Sequence, residues 1–383
     1  MAAGQRRHAV FMEKMKIVVP CLFGLESIAA GELKRMRMED VQTLNGKVTF
    51  LGDFSDVARA NIGLRTGERV MIELGRFPAA SFEELFQGVL SCPLEDYIGK
   101  ADAFPVKGWS LNSALHSIPD CQSIIKKAAV ERLKKYYRVA WFEETGSVHQ
   151  IRFSILKDEV SIMLDTSGAG LHKRGYRKNA NAAPIKETLA AGILDLARVK
   201  ADTVLYDPLC GSGTFLIEGA LRGFGIAPGI SRKFAAEGWA ACPPDVFKAM
   251  RQEAMEKIDR RSGFVAYGGD IDPESVLLAQ ENSKKAGVSG RIRVEKKDLT
   301  DFEPQSENGV IVCNPPYGER MLDVKQAREL YRRMGEVFAS KAPGFPCYVI
   351  SPDEEFEQSF GRKANKKRKL YNGMLKCDLY MYF

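Results

Sequence analysis

Leu205-Tyr-Asp-Pro-Leu-Cys-Gly-Ser-Gly-Thr214 is the stretch that decides the fold of the second half of this chain. A short apolar run enters a turn containing Gly211 and Gly213, and a helical pattern follows over 215–221. Strand, glycine turn and helix in that order open a parallel α/β sheet, and the glycines let a ligand approach the backbone closely. About a hundred residues later stands Val310-Ile-Val-Cys-Asn-Pro-Pro-Tyr-Gly318. This buried strand ends abruptly, because two consecutive prolines cannot continue a ladder and hold the residue before them extended. The turn presents the Asn314 amide, the Pro315 carbonyl and the Tyr317 ring at the strand's carboxyl end, where open α/β sheets bind ligands.

These groups suit a narrow chemistry. A side-chain carbonyl and a main-chain carbonyl on one rigid turn can accept both hydrogens of a flat exocyclic NH2. An adjacent aromatic ring can stack on the base that carries it. Holding both N–H bonds favours a more tetrahedral nitrogen with its lone pair aimed at an electrophile, as methyl transfer to a nucleobase amine requires. A bland proline-rich loop would explain the four residues alone, but not their glycine-rich partner. Asn314, Pro315, Pro316 and Tyr317 are therefore the candidate catalytic residues.

Further strands are expected over 203–207, 264–269, 291–295, 309–313 and 347–351, separated by helical segments, which argues for a parallel, doubly wound sheet. Residues 367–371 and 374–383 flank Asn372-Gly373, a two-residue hairpin signal, so the sheet should finish antiparallel.

Asn314–Tyr317 with Asp207–Thr214 resembles the amino-methyltransferase signature of class I S-adenosylmethionine enzymes. The wider context is similar to the THUMP-domain RNA methyltransferases, and among them to the large-subunit rRNA guanine-N2 methyltransferase group. The likeness covers nearly all of the chain from about Met12. It implies an α/β fold: a Rossmann-like class I domain with a seven-stranded, mostly parallel sheet, preceded by an α+β ferredoxin-like and THUMP RNA-binding region. S-adenosyl-L-methionine as cofactor, large-subunit rRNA as partner and the N2 amine of a guanosine as acceptor follow from the same resemblance. The acceptor turn itself suits guanine or adenine, in rRNA or tRNA. A non-catalytic RNA-binding assembly factor is the alternative from another class.

The cofactor assignment rests on successive strand ends. Gly211 and Gly213, flanked by Pro208 and Thr214, allow close approach, and Asp207 can bind the amino-acid end. Asp270 can accept both ribose hydroxyls, with Asp272 as the alternative. Asp298 can accept from the adenine amine, with the Leu299 N–H beside it, and Asn314 sets the acceptor against the methyl. Each acid alone reads as an ordinary turn or cap residue; their coincidence with strand ends argues otherwise. A dinucleotide fingerprint is excluded, since Leu216 stands where the third glycine belongs. In related enzymes the helix opened by Pro184, with Glu187 and Thr188, lines the cofactor pocket. Residues 223–262 delay the second strand and resemble an insertion of this group, without an evident role.

A chain of 383 residues is too long for one core. We expect a leader over 1–15, a ferredoxin-like unit over 16–75, a THUMP domain over 76–165, a linker with its opening helix over 166–200, and the methyltransferase domain over 201–383. The first unit reads β-α-β-β-α-β. In the second, strands are expected over 109–117, 148–156 and 160–165. The helix expected over 119–138 carries an apolar stripe of Ile125, Ala129, Leu133 and Tyr136, while Lys126, Lys127, Arg132, Lys134, Lys135 and Arg138 face one acid, Glu131. A solvated face would look the same, yet the excess of cations favours phosphate contacts. Lys173, Arg174 and Arg177 in the linker, and Lys366, Lys367 and Arg368 near the end, are further candidate RNA contacts.

The net charge of +7 is modest and would also serve plain solubility, but its concentration in a few places suits a polyanion partner. Eight cysteines without a C-x-x-C pair and only four histidines argue against a metal site and for a reducing, cytoplasmic location. No apolar run reaches the ~18 residues of a membrane span.

Overall fold

The computed structural model describes residues 14–177, 184–317 and 323–383. Nearly all of the expected leader, and the stretch 178–183 of the linker, lie outside them. The first half is β1 (Met15–Pro20), α1 (Glu26–Arg35), β2 (Glu39–Leu44), β3 (Lys47–Gly52), α2 (Phe54–Gly63), β4 (Met71–Pro78), α3 (Phe82–Ser91), β5 (Val106–Leu111), α4 (Ile118–Tyr137), β6 (Ile151–Leu156) and β7 (Glu159–Asp165). Local chemistry sets several of these boundaries. Asp53 and Ser81 each close a capping box at a helix start. Lys157 and Asp158 both take positive φ, which turns β6 back into β7.

The strands form one seven-stranded sheet ordered β2-β3-β1-β4-β7-β6-β5. The boundary expected at 75/76 falls inside β4, which pairs with β1 on one side and β7 on the other. Ferredoxin-like and THUMP segments thus share a sheet and a core. The strand expected over 109–117 starts earlier and stops at Leu111, because Asn112 turns to φ 52°. The one expected from 148 begins at Ile151.

The second half is α5 (Glu187–Leu196), β8 (Val204–Asp207), α6 (Thr214–Gly223), α7 (Val246–Glu256), β9 (Val265–Asp270), α8 (Pro273–Lys285), β10 (Ile292–Lys296), β11 (Val310–Cys313), α9 (Val324–Lys341), β12 (Cys347–Ser351), α10 (Phe356–Phe360), β13 (Lys366–Asn372) and β14 (Leu375–Tyr382). Its sheet runs β10-β9-β8-β11-β12-β14-β13, parallel through β12 and antiparallel where β14 joins β12 and β13. Strand order reverses between β8 and β11, which lie side by side in parallel with Val310 opposite Leu205. The glycine turn and the Asn-Pro-Pro-Tyr turn therefore leave the same edge of the sheet, at its switch point.

The insert over 223–262 now has a physical role. Phe234, Trp239 and Phe247 are buried in the core of the N-terminal sheet. Trp239 donates from Nε1 to the Val148 carbonyl at 3.1 Å and stacks on His149 at 4.5 Å. Gly229 donates to the Ile62 carbonyl at 2.8 Å, and Arg59 pairs with Glu253 on α7 at 3.2 Å. A segment of the second half thus completes the core of the first. Among the described residues no helix is long and apolar enough to cross a membrane.

Candidate active site

The two turns at the β8/β11 switch point open into a cleft of about 630 Å³. Asp207, Gly211, Thr214, Asp270, Asp298 and Leu299 line it, and so do Pro184, Asp272 and the whole of Asn314–Tyr317. Gly211 and Gly213 hold φ values of 50° and 77°. Only glycine adopts these without strain. A Cβ at Gly211 would meet nothing within 4 Å, which leaves room for a ligand against the turn. At Gly213 it would meet the Ala279 methyl at 2.9 Å, where α8 packs close.

The acids divide by environment. Asp207 is fully buried, and desolvation, with the Asp270 charge adding to it, pushes its carboxyl up to about 8. A cationic ligand group would reverse that. Asp270 accepts from the Gly211 N–H at 2.9 Å and from the Asp272 N–H at 3.0 Å, so it shapes the glycine turn from the end of β9. Asp272 caps α8 through Glu274 and Ser275. Asp298 accepts from the Thr300 N–H and hydroxyl and from Arg333 Nη2 at 2.8 Å. Those bonds hold its carboxyl below the usual range.

Asn314 carries the sharpest signal. Its Oδ1 is shielded and has no hydrogen-bond partner among the described residues. An acceptor left so costs about 1–3 kcal/mol, which a bound N–H would relieve. Tyr317 is among the residues lining the cleft, and its hydroxyl accepts from Asn372 Nδ2 at 2.9 Å.

A family model described as an RMKL-like methyltransferase domain matches residues 174–381. The chain belongs to the RMKL-like methyltransferase family. Models for an RlmL ferredoxin-like domain and a THUMP domain match residues 16–71 and 79–165. YpsC of Bacillus subtilis (strain 168), which bears an RNA methyltransferase name, is 41% identical over 97% of both chains. The ribosomal RNA large subunit methyltransferase K/L of Cellvibrio japonicus (strain Ueda107) is 31% identical over 94% of this chain. The chain spans about half of that longer relative. SMU.472, solved with S-adenosylhomocysteine (SAH), is 41% identical over 97% of this chain and 98% of that one, with a TM-score of 0.92. A Listeria monocytogenes str. 4b F2365 structure named for N6-adenine DNA methylation is 44% identical over 98% of both, also at 0.92. The cofactor of this RMKL-like chain is S-adenosylmethionine. The open glycine turn, the row of strand-end acids and the orphaned Asn314 acceptor fit it.

Other candidate residues lie elsewhere in this RMKL-like chain. Thr188 donates to Glu68, and Glu187 pairs with Arg177 at 3.3 Å; neither lines the cleft. Several candidate RNA contacts also make bonds within the chain. Arg174 is buried against Glu218, and Arg177 donates to Thr214 at the glycine turn. Arg132 forks onto Glu95, and Lys126 pairs with Glu144 while lying over the Phe104 ring. Arg368 holds the Gly24 carbonyl, and Lys367 pairs with Glu357. Lys127, Lys173 and Lys366 are exposed and Lys134 half-buried, with no ion pair among the described residues. Sequence reading missed Arg333 and Leu330, which line the cleft from α9. Their i, i+3 spacing puts both on one face, the only hint the sequence offered.

Proposed function

We propose that the chain methylates RNA at the exocyclic N2 amine of a guanosine, with large-subunit rRNA as the target. The observation that carries this reading is the unpaired Asn314 acceptor, in the same cleft as the glycine turn. Asp207 takes the amino-acid end of the cofactor, Asp270 the ribose, and Asp298 with the Leu299 N–H the adenine. Bound there, S-adenosylmethionine supplies a methyl on a sulfonium that is already a strong electrophile. Asn314 and the Pro315 carbonyl hold the two N–H bonds of the acceptor, while the Tyr317 ring supports the flipped base. Alignment and exclusion of water are the protein's contribution. The proton leaves the nitrogen after transfer, when it is acidic enough to pass to water. Of the candidate RNA contacts, Lys127, Lys134, Lys173 and Lys366 make no ion pair among the described residues and would meet the RNA backbone.

The name of the K/L relatives favours large-subunit rRNA as the target, and guanine comes from the resemblance of the sequence motifs. The Listeria neighbour's name favours adenine N6, whose NH2 the same two acceptors would hold. Nucleoside mass spectrometry of rRNA and tRNA from a deletion strain separates the two. One N2-methylguanosine should vanish from large-subunit rRNA; loss of N6-methyladenosine, or of a tRNA mark, would overturn the assignment. Asn314→Ala should lower kcat by roughly 10²–10³ with cofactor affinity kept. Absence of any heat with S-adenosylmethionine in calorimetry would favour a vestigial, non-catalytic fold.

A further inference from the structure

We infer that Asn372 is a positioning residue for the catalytic turn: it holds the Tyr317 ring against the cleft, on a strand that the N-terminal unit fixes in place. The inference rests on reading Asn314–Tyr317 as the turn that holds the target base.

By sequence, Asn372 is half of an Asn-Gly hairpin signal, and Gly373 does take φ 70°. A turn asparagine of that kind normally points its amide at water. Here the side chain is buried, at 4% exposure, and donates at 2.9 Å to a hydroxyl 55 residues away in the chain. Tyr317 is equally enclosed, at 5%. A hydrogen bond between two enclosed groups is stronger than one in water, so this contact restrains the ring more than an exposed one would. A ring fixed at its far end cannot swing about the Cβ bond, so the face it turns to the cleft is set before any base arrives.

Asn372 ends β13, whose outer side is docked on the loop before α1. Arg368 donates to the Gly24 carbonyl from Nε at 2.9 Å and from Nη2 at 2.6 Å. Phe23 meets Tyr371, the neighbour of Asn372, edge-on at 6.1 Å. The support of the catalytic tyrosine therefore reaches the half of the molecule that carries the THUMP segment.

The test compares Tyr317→Phe, Asn372→Ala and the double variant in methyl transfer to RNA. Each single change should lower kcat about tenfold, the loss of one enclosed hydrogen bond, with cofactor affinity held. The double variant should lose no more than either single one. Asn372→Asp, whose carboxylate can accept from the phenol, should recover part of the rate. Independently of turnover, fluorine NMR of a fluorotyrosine at position 317 should shift and broaden in Asn372→Ala. Multiplying losses, an unaltered kcat in Tyr317→Phe, or an unchanged fluorine line would overturn the inference. Should the wild type methylate no RNA, the functional reading fails, and the fluorine line still judges the contact.

Discussion

At the scale of single residues the cleft is governed by how its acids are solvated. Asp207 sits at about 8 instead of 3.8 because burial penalises its charge. A raised acid keeps a proton in the folded state that the unfolded chain gives up. Its effect is therefore a stability that declines as pH rises from about 3.8 through about 8. Asp207→Asn should flatten that decline, measured by denaturant unfolding of the cofactor-free protein at pH 6 and pH 9. If Asp207 takes the amino-acid end as proposed, the cofactor's ammonium favours the ionised carboxylate, so binding at pH 6.5 should expel a proton. Calorimetry in two buffers of different ionisation heat would register it, and equal heats in both would refute the assignment of Asp207. These acids were legible in sequence because strand ends announce them. Arg174 and Arg177 were not: a run of cations is spelled alike whether it faces water or, as here, Glu218 and Glu187.

At the scale of elements, most strands and helices were readable from apolar periodicity and from turn chemistry. What stayed hidden was partnership. Nothing local in the spelling of residues 223–262 says that Trp239 completes a core begun two hundred residues earlier, since such packing is a tertiary fact. Trp239→Ala should cost roughly 3–5 kcal/mol, read by denaturant unfolding, and the loss should appear in the N-terminal half as well. A second clasp joins β4's approach to α5. Burial alone would raise the Glu68 carboxyl, but the His172 ring 3.5 Å away, a hydrogen bond from Thr188 and the charge of Lys186 hold it at about 2. The sign is opposite to that of Asp207. The stability from Glu68 is complete above about pH 4.5 and fades as pH falls toward 2. Glu68→Gln should leave the protein less stable at pH 6, by about 2–3 kcal/mol, with a smaller difference at pH 3. An equal deficit at both would show that the carboxylate's charge is not the bond that matters.

At the scale of the whole molecule the two sheets behave as one frame, because buried groups of each half satisfy polar atoms of the other. Arg65 donates to the carbonyls of Leu221 and Ile226, and Arg174 donates to the Arg65 carbonyl. Such a frame suits an enzyme that must grip RNA in one place and present one base in another. Its narrowest seam is Gly24, at φ 89°, where a Cβ would come within 2.6 Å of the Lys369 carbonyl oxygen on β13. Gly24→Ala is opposed by backbone strain of about 1–3 kcal/mol and by that clash. The strand should withdraw from the loop, carrying Asn372 with it. The expected result is a lower kcat on RNA with cofactor affinity preserved, since Gly24, Arg368 and Lys369 are not among the residues that line the cleft. Arg368→Ala, which releases the same strand without strain at Gly24, should act in the same direction. If either variant weakened cofactor binding as much as it slowed transfer, the seam would be supporting the fold at large and not the turn that holds the base.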